Sequence, residues 1–199
     1  TATPNSELIT ALAALIDKPC QLIEVEKEKN EMKAKFQYVT GSVAELTAHI
    51  KRLKAQGIRP IIHTDRKQEK NGKGVYDIAE ALRADGFDVK TATGDKTDGI
   101  AQFQNGEGDA LVGTRVICMG LDIKADGLKC EAIQYVSGNG IEAEMMAQLG
   151  GRFRNAAEVT YTLWATSETY FLPVERRPNS KQRYIGPEHE FNKIQAQGL

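Results

Sequence analysis

Two arginines that follow a pair of glycines are the residues of this sequence best suited to chemistry. They lie in the stretch Gln148–Arg154, which reads Gln-Leu-Gly-Gly-Arg-Phe-Arg. A guanidinium group presents a rigid fork of N–H donors that matches phosphate oxygens. A predicted helix precedes the arginines, so Gln148 would lie about one helical turn before Arg152 on the same face. The stretch therefore predicts a device for contacting phosphate.

Two other segments place polar residues directly after apolar runs that predict strands. Ile61-Ile62-His63 is followed by Thr64, and Ala110-Leu111-Val112-Gly113 is followed by Thr114 and Arg115. A threonine hydroxyl and nearby backbone amides could hold a nucleic-acid phosphate at such a place. His63 ends its strand at the same edge and is a weaker candidate, because a histidine there is more often a strand residue without a role.

A further segment, the box Gly120-Leu121-Asp122-Ile123, follows Arg115 a few residues later. Gly120 would let the backbone approach another element closely, and Asp122 would be positioned to accept from an arginine or a ribose hydroxyl. Each of these residues also has an ordinary interpretation: Thr114 could cap a helix, Asp122 could be a turn residue, and both arginines could pair with surface carboxylates.

The elements that must position these residues alternate between short strands and helices. This alternation predicts an α/β fold with a mostly parallel central sheet flanked by helices, in which ligands bind beyond the carboxyl ends of the strands. Ser42 and Glu45 form a predicted capping box at the start of one helix. The predicted strands are Cys20–Glu26, Lys35–Thr40, Arg59–His63, Phe87–Thr91, Ala110–Val112, Ala132–Val136 and Val159–Trp164, and the predicted helices are 6–18, Val43–Gln56, 75–86, a short one with Ile100 and Phe103 that Asp95 caps, and Ile141–Leu149.

The totals bound the answer loosely. A chain of 199 residues predicts one domain or a domain and a half, and we expect a leading segment 1–57, a core 58–165 and a polar extension 166–199. The net charge of -1 neither indicates nor excludes a nucleic-acid partner, because a local basic patch is what matters. Cys20, Cys118 and Cys130 fit no zinc or disulfide spacing, which favours reduced thiols in an intracellular protein, cytoplasmic or nuclear.

No membrane partner is expected, because no apolar run approaches the length of a membrane span and no signal peptide opens the chain. The sequence begins at Thr1 rather than at a methionine, so we expect a piece of a longer protein.

A complete nucleotide site is not expected in this chain. Lys70-Asn71-Gly72-Lys73-Gly74 and Gly94-Asp95-Lys96-Thr97 both depart from the glycine-rich loop that ends in Gly-Lys-Ser/Thr, and they read as a turn and a helix start. No predicted strand ends in an acidic pair suited to magnesium. The isolated chain is therefore predicted to be inactive toward ATP.

The order of these segments resembles the second, C-terminal RecA-like motor domain of superfamily 2 helicases. The resemblance covers residues 58 to 165 and rests on six weak motifs in the order that the family has them. They are Ile61–Thr64, Thr93-Gly94, Phe103-Gln104-Asn105-Gly106, Thr114, Gly120-Leu121-Asp122-Ile123, and Gln148 with Gly151 and Arg152.

The resemblance implies a fold, a reaction and a role for each residue. In the family, ATP and Mg²⁺ are bound mainly by an N-terminal RecA-like domain of the same polypeptide. The second domain presents arginines to the γ-phosphate, here Arg152 and Arg154, with Gln148 contacting the phosphate or the attacking water. Gly120 and Asp122 would belong to the ATP side, and the residues implied to contact the phosphates of DNA or RNA are Thr64, Thr114 and Arg115.

The spacing of the two arginines departs from the common family motif, which separates them by three residues. Arg152 and Arg154 are two apart, which on a regular helix would place them about 200° from each other. Either the helix ends at Gly150-Gly151 or only one arginine, Arg152 by preference, reaches phosphate. Shortened versions of the motif favour a replication-associated or phage- or plasmid-type member.

Two other functions fit the same residues. One is a flavodoxin- or Rossmann-like module that binds a small phosphorylated ligand, and the other is an interaction domain that keeps the motor fold without catalysis. A Gly-Lys-Ser/Thr loop upstream of Thr1 would favour the motor over both.

Overall fold

The computed structural model describes residues 33–68, 74–136 and 148–166, which all belong to one compact unit, Met32–Leu199. Several sequence-based predictions lie outside these residues: the helix 6–18, the strand Cys20–Glu26, most of the helix Ile141–Leu149, the segment Lys70–Lys73, and the extension beyond Thr166.

The described chain alternates between strands and helices, as the sequence predicts. Its elements are β1 (Lys33–Thr40), α1 (Val43–Ala55), β2 (Ile61–His63), α2 (Val75–Ala84), β3 (Val89–Ala92), α3 (Asp98–Gln104), β4 (Ala110–Gly113), α4 (Val116–Gly120), β5 (Ile123–Lys124), β6 (Lys129–Val136), β7 (Phe153–Arg154) and β8 (Glu158–Ala165).

Six of the strands form one parallel sheet in the order β1-β8-β6-β2-β4-β3. The prediction of an α/β fold with a mostly parallel central sheet is therefore confirmed. The edge strand β1 lies before residue 58, where the predicted core begins, yet it pairs with β8 along its whole length. A separate two-stranded parallel sheet joins β5 to β7.

Apolar side chains pack on both faces of the main sheet, because successive residues of a strand point to opposite sides. Ile61 joins one cluster, with Leu111 and Tyr161, and its neighbour Ile62 joins the other, with Val112. The central strands β2 and β4 are therefore buried on both faces, which explains why they read as continuous apolar runs in the sequence.

Local signals explain where the helices begin. The predicted capping box is confirmed: the Glu45 backbone N–H donates to Ser42 Oγ (3.3 Å) and the Ser42 N–H donates to Glu45 Oε2 (2.7 Å). The Ser42 N–H and the Ser42 hydroxyl, which also donates to Glu45 Oε2 (2.9 Å), lower the pKa of Glu45. The prediction that Asp95 caps α3 is wrong. The N-cap is Thr97, whose side chain makes no capping bond. The Asp95 carboxylate does not cap the helix and instead accepts from the Thr93 hydroxyl (2.7 Å).

Candidate functional site

The carboxyl ends of β2 and β4 lie side by side and carry two of the predicted site residues. The Thr64 N–H donates to Gly113 O (3.0 Å), and the Thr114 N–H donates to Ala92 O (3.0 Å). Thr64 and Thr114 therefore emerge at one edge of the sheet, as the parallel arrangement predicts. Their backbone amides are occupied within the sheet, so a phosphate at this edge would have to use other donors.

Gly113 makes the turn between β4 and α4 possible. A Cβ at this position would lie 2.4 Å from the Ile117 side chain and 2.8 Å from Ala92 O, closer than any side chain tolerates. The backbone of β4 can therefore run directly under α4 and next to β3, and this close approach delivers Thr114 and Arg115 to the edge.

The three residues implied to contact nucleic acid differ in accessibility. Arg115 is exposed and Thr114 is half-buried, whereas Thr64 is completely buried at 0% exposure. A phosphate contact by Thr64 stays a prediction and would require its hydroxyl to become accessible. Thr114 and Arg115 are the two that the sheet edge presents to solvent.

His63 forms a buried pair with Gln134 at the same edge. The two residues are in register on β2 and β6, and His63 Nδ1 lies 2.6 Å from Gln134 Oε1. Burial lowers the pKa of His63 to about 4, even though the bond to Gln134 raises it, and nearby Arg115 lowers it further. The imidazole is therefore neutral at pH 7, with Nδ1–H as the donor to Gln134.

The sequence did not predict Gln134. The only signal for it is an uncharged polar residue inside an otherwise apolar strand, Ala132–Val136. Such a residue needs a partner when it is buried, and His63 supplies one.

The glutamine-arginine stretch changes from helix to strand within a few residues. Residues 148–150 are helical, residues 151 and 152 form a turn, and β7 follows. The Ile123 N–H donates to Arg152 O (2.8 Å) and the Ala125 N–H donates to Arg154 O (2.9 Å). Because both carbonyls accept from the same neighbouring segment, the chain is extended at Phe153 and Arg154, with the Phe153 side chain buried and Arg154 exposed. The helix thus ends at Gly150, before the two arginines.

Arg152 lies beside α4, the helix that follows Arg115. Both guanidinium groups act to lower the pKa of the Cys118 thiol, but burial outweighs them and raises that pKa to about 12. The thiol is therefore protonated and unsuited to nucleophilic chemistry. The segment that ends in Thr114 and Arg115 and the glutamine-arginine stretch are therefore brought together around α4.

The two arginines have different partners. Arg152 Nε donates to Gln148 O (3.0 Å), and among the described residues its terminal guanidinium nitrogens make no other hydrogen bond. Arg154 Nε donates to Asp122 Oδ1 (2.9 Å), in an ion pair whose side chains are 55% and 57% exposed. An exposed pair of this kind contributes little stability, so it can rearrange when a stronger anion approaches.

Gly150 fixes the start of the turn. A Cβ placed on Gly150 would lie 2.1 to 2.4 Å from three atoms of the Tyr161 ring end, and Tyr161 is fully buried in β8 and stacked on Phe36 at 4.9 Å between ring centroids. Only glycine lets the helix end rest on this ring. At Gly120, by contrast, a Cβ would come no closer than 3.5 Å to a described atom, so the close approach expected there is not made within the described part.

The described residues contain no group of three or more His, Cys, Asp or Glu side chains that could hold a metal ion. No helix in that part of the chain is long and apolar enough to cross a membrane.

Comparison with solved structures finds helicase domains. The chain is similar to E. coli DEAD-box protein SrmB, solved bound to regulator of ribonuclease activity A, with a TM-score of 0.51 and 18% identity over 67% of this chain and 78% of that one. It is similar to a variant of S. cerevisiae Dbp5 bound to RNA and ADP BeF3, with a TM-score of 0.59 and 15% identity over 82% of this chain and 43% of that one.

A second Dbp5 structure, bound to Gle1 and IP6, matches with a TM-score of 0.56 and 15% identity over 100% of this chain and 46% of that one. The chain thus spans less than half the length of each Dbp5 chain. No protein-family model and no curated protein matches the sequence. At these identities the comparisons show the fold, which is that of a RecA-like helicase domain.

Proposed function

We propose that the chain is the C-terminal motor half of an ATP-dependent nucleic-acid helicase or translocase. The observation that supports this function most is the end of the helix at Gly150, after which Arg152 lies in a turn with its Nε bonded to Gln148 O and Arg154 lies in β7. The fold similarity to DEAD-box proteins supports it. The alternative of a flavodoxin- or Rossmann-like ligand-binding module is not favoured.

Arg152 is the proposed arginine finger. Its guanidinium group is oriented by the bond from Nε to Gln148 O. Its terminal nitrogens are proposed to donate to the γ-phosphate of ATP. A fixed, charged donor stabilises the charge that develops in phosphoryl transfer without reorganisation at that moment. Gln148 is proposed to contact the phosphate or the attacking water.

Arg154 is proposed to couple the nucleotide to the domain rather than to perform the same task as Arg152. Its bond to Asp122 connects β7 to the box Gly120-Leu121-Asp122, close after α4. ATP and Mg²⁺ would be held mainly by an N-terminal RecA-like domain of the same polypeptide. The donors here suit an anionic phosphate, whereas the described residues offer no acidic cluster for the metal ion.

The nucleic-acid backbone is proposed to contact the other end of the same edge. Arg115 is exposed and Thr114 half-buried directly after β4, and guanidinium and hydroxyl groups are common donors to backbone phosphates. Since α4 follows both residues and also lies beside Arg152, one short element joins the strand contact to the ATP contact.

The finger is tested in the polypeptide that carries both RecA-like halves, with Arg152→Ala and Arg152→Lys. We expect Arg152→Ala to lower kcat for nucleic-acid-stimulated ATP hydrolysis on the order of a thousandfold while the Kd for nucleic acid changes little. Arg152→Lys should stay strongly impaired, because an ammonium lacks the fork. Arg52→Ala, which removes an exposed arginine of α1, is the matched control, and wild-type turnover in Arg152→Ala would overturn the assignment.

A further inference from the structure

We propose that Tyr76 is a stacking platform for a base of single-stranded nucleic acid, with Lys67 as its phosphate contact. This inference rests on the proposed function and adds a site beyond Thr114 and Arg115. The Tyr76 patch consists of four residues that the loops after β2 and β3 bring together: Lys67, Tyr76, Thr93 and Asp95.

Tyr76 is held by one hydrogen bond at its hydroxyl and by another at its backbone N–H. Its hydroxyl lies 3.3 Å from Thr93 Oγ1, and because the Thr93 hydroxyl donates to Asp95 Oδ1 (2.7 Å), the tyrosine hydroxyl is the donor of the pair. Its backbone N–H donates to Lys67 O (3.0 Å). Thr93 is buried to 1% exposure, so the anchor itself is fixed.

Tyr76 is nevertheless exposed to 36%, unlike the tyrosines of β6 and β8. An exposed aromatic ring that is already immobilised loses little conformational freedom when a flat partner stacks on it. Every base has a π-face, so such a ring binds single strands with little sequence preference. These properties suit a nucleobase better than they suit a core contact.

The patch lies on the same edge of the sheet as the proposed backbone contact. Thr93 directly follows β3, which pairs with β4, and the Thr114 N–H donates to the last residue of β3, Ala92. Neighbouring strands lie about 4.8 Å apart. A single strand whose backbone rests on Thr114 and Arg115 therefore passes close to the Tyr76 patch.

Lys67 supplies a cation that a phosphate can recruit. Its Nζ lies 2.6 Å from Asp95 Oδ1, and the two side chains are 47% and 65% exposed. Exposed pairs of this kind are weak, and the Thr93 hydroxyl continues to bind Asp95 when the lysine leaves. The phosphate can thus replace Asp95 as the partner of Lys67 at little cost.

The experiment measures the Kd of the 199-residue chain for fluorescent single-stranded oligonucleotides, one DNA and one RNA, and for the same strands with abasic residues. Removing the ring in Tyr76→Leu should weaken binding of the normal strands about 5- to 100-fold and leave binding of the abasic strands unchanged. Tyr76→Phe keeps the ring and should bind within about twofold of wild type. Lys67→Gln should weaken binding of both kinds of strand equally and reduce the salt slope by about 0.7.

Tyr38→Leu is the matched control, because Tyr38 is also exposed, at 42%, but lies on β1 at the opposite edge of the sheet. Circular dichroism shows whether each variant is folded, and if Tyr76→Leu is not, Tyr76→His carries the test with a smaller expected loss. Equal losses on normal and abasic strands, or no loss, would overturn the stacking role while leaving the proposed function intact. Absence of binding by the wild-type chain would overturn the Tyr76 proposal and the strand contact of Thr114 and Arg115, whereas the Arg152 test in the two-domain polypeptide does not depend on this measurement.

Discussion

Burial decides which chemistry the individual polar residues of the edge can perform. His63 is buried, neutral and committed to Gln134, and the Cys118 thiol is held protonated. Neither residue can supply a charge to a phosphate at pH 7. Guanidinium groups keep their charge in any protein environment, so the proposed contacts with an anion are assigned to Arg115, Arg152 and Arg154.

The buried neutral His63 should make the stability of the protein depend on pH. Its pKa is about 4 in the folded chain, against an ordinary value of 6.5, so the unfolded chain binds more protons between these values. The contribution is fully present above pH 6.5 and is lost as pH falls toward 4, by about 2 kcal/mol between pH 6.5 and pH 5. His63→Asn, whose amide can still donate to Gln134, should lose correspondingly less stability over that interval.

Urea unfolding at pH 7.5, 6.5 and 5 measures this difference. His189→Asn is the control, since it removes a histidine from the polar extension and leaves His63 in place. Parallel pH profiles for wild type and His63→Asn would mean that His63 is accessible to protons in the folded state.

At the scale of elements, the glutamine-arginine stretch changes from helix to strand within a few residues. The sequence left two arrangements open: either the helix ends at Gly150-Gly151 and the arginines lie on an irregular turn, or only one arginine reaches phosphate. The choice depends on the β5–β7 pairing, and strands of two residues each give no periodic signal in the sequence. In the sequence, Gly150 indicates a possible helix end, but the residue that requires a glycine there, Tyr161, lies on β8 and cannot be identified from the local sequence.

Gly150→Ala should therefore destabilise the fold, because the added methyl group meets a buried ring that has no room to move. We expect a loss of about 1 to 3 kcal/mol in the free energy of unfolding, the usual cost of overpacking. In the double variant with Tyr161→Leu, which removes the colliding ring atoms, the loss should be smaller than the sum of the two single losses. Gly94→Ala, where a Cβ meets no atom within 4 Å, is the control, and strict additivity would contradict the contact.

At the scale of the whole molecule, features that depend on neighbouring residues could be predicted from the sequence, whereas contacts between distant segments could not. Parallel strands buried on both faces read as apolar runs, so β2, β4, β6 and β8 and the α/β class followed from the sequence. The capping box of α1 was equally local. The pairing of β1 with β8 joins segments more than a hundred residues apart, and no periodic pattern in the sequence predicts which strands pair.

A chain with a net charge of -1 must bind a polyanion through a few placed cations rather than through bulk attraction. If Arg115 and Lys67 each neutralise one phosphate, the logarithm of the association constant for a single strand should fall with the logarithm of salt concentration with a slope of about -1.4. Arg115→Gln should reduce that slope to about -0.7. Titrations of a labelled oligonucleotide between low and moderate salt measure both values. A slope near zero would contradict phosphate contact at this edge, whereas a slope steeper than about -2 would require cations beyond these two, such as the Arg176-Arg177 pair of the polar extension.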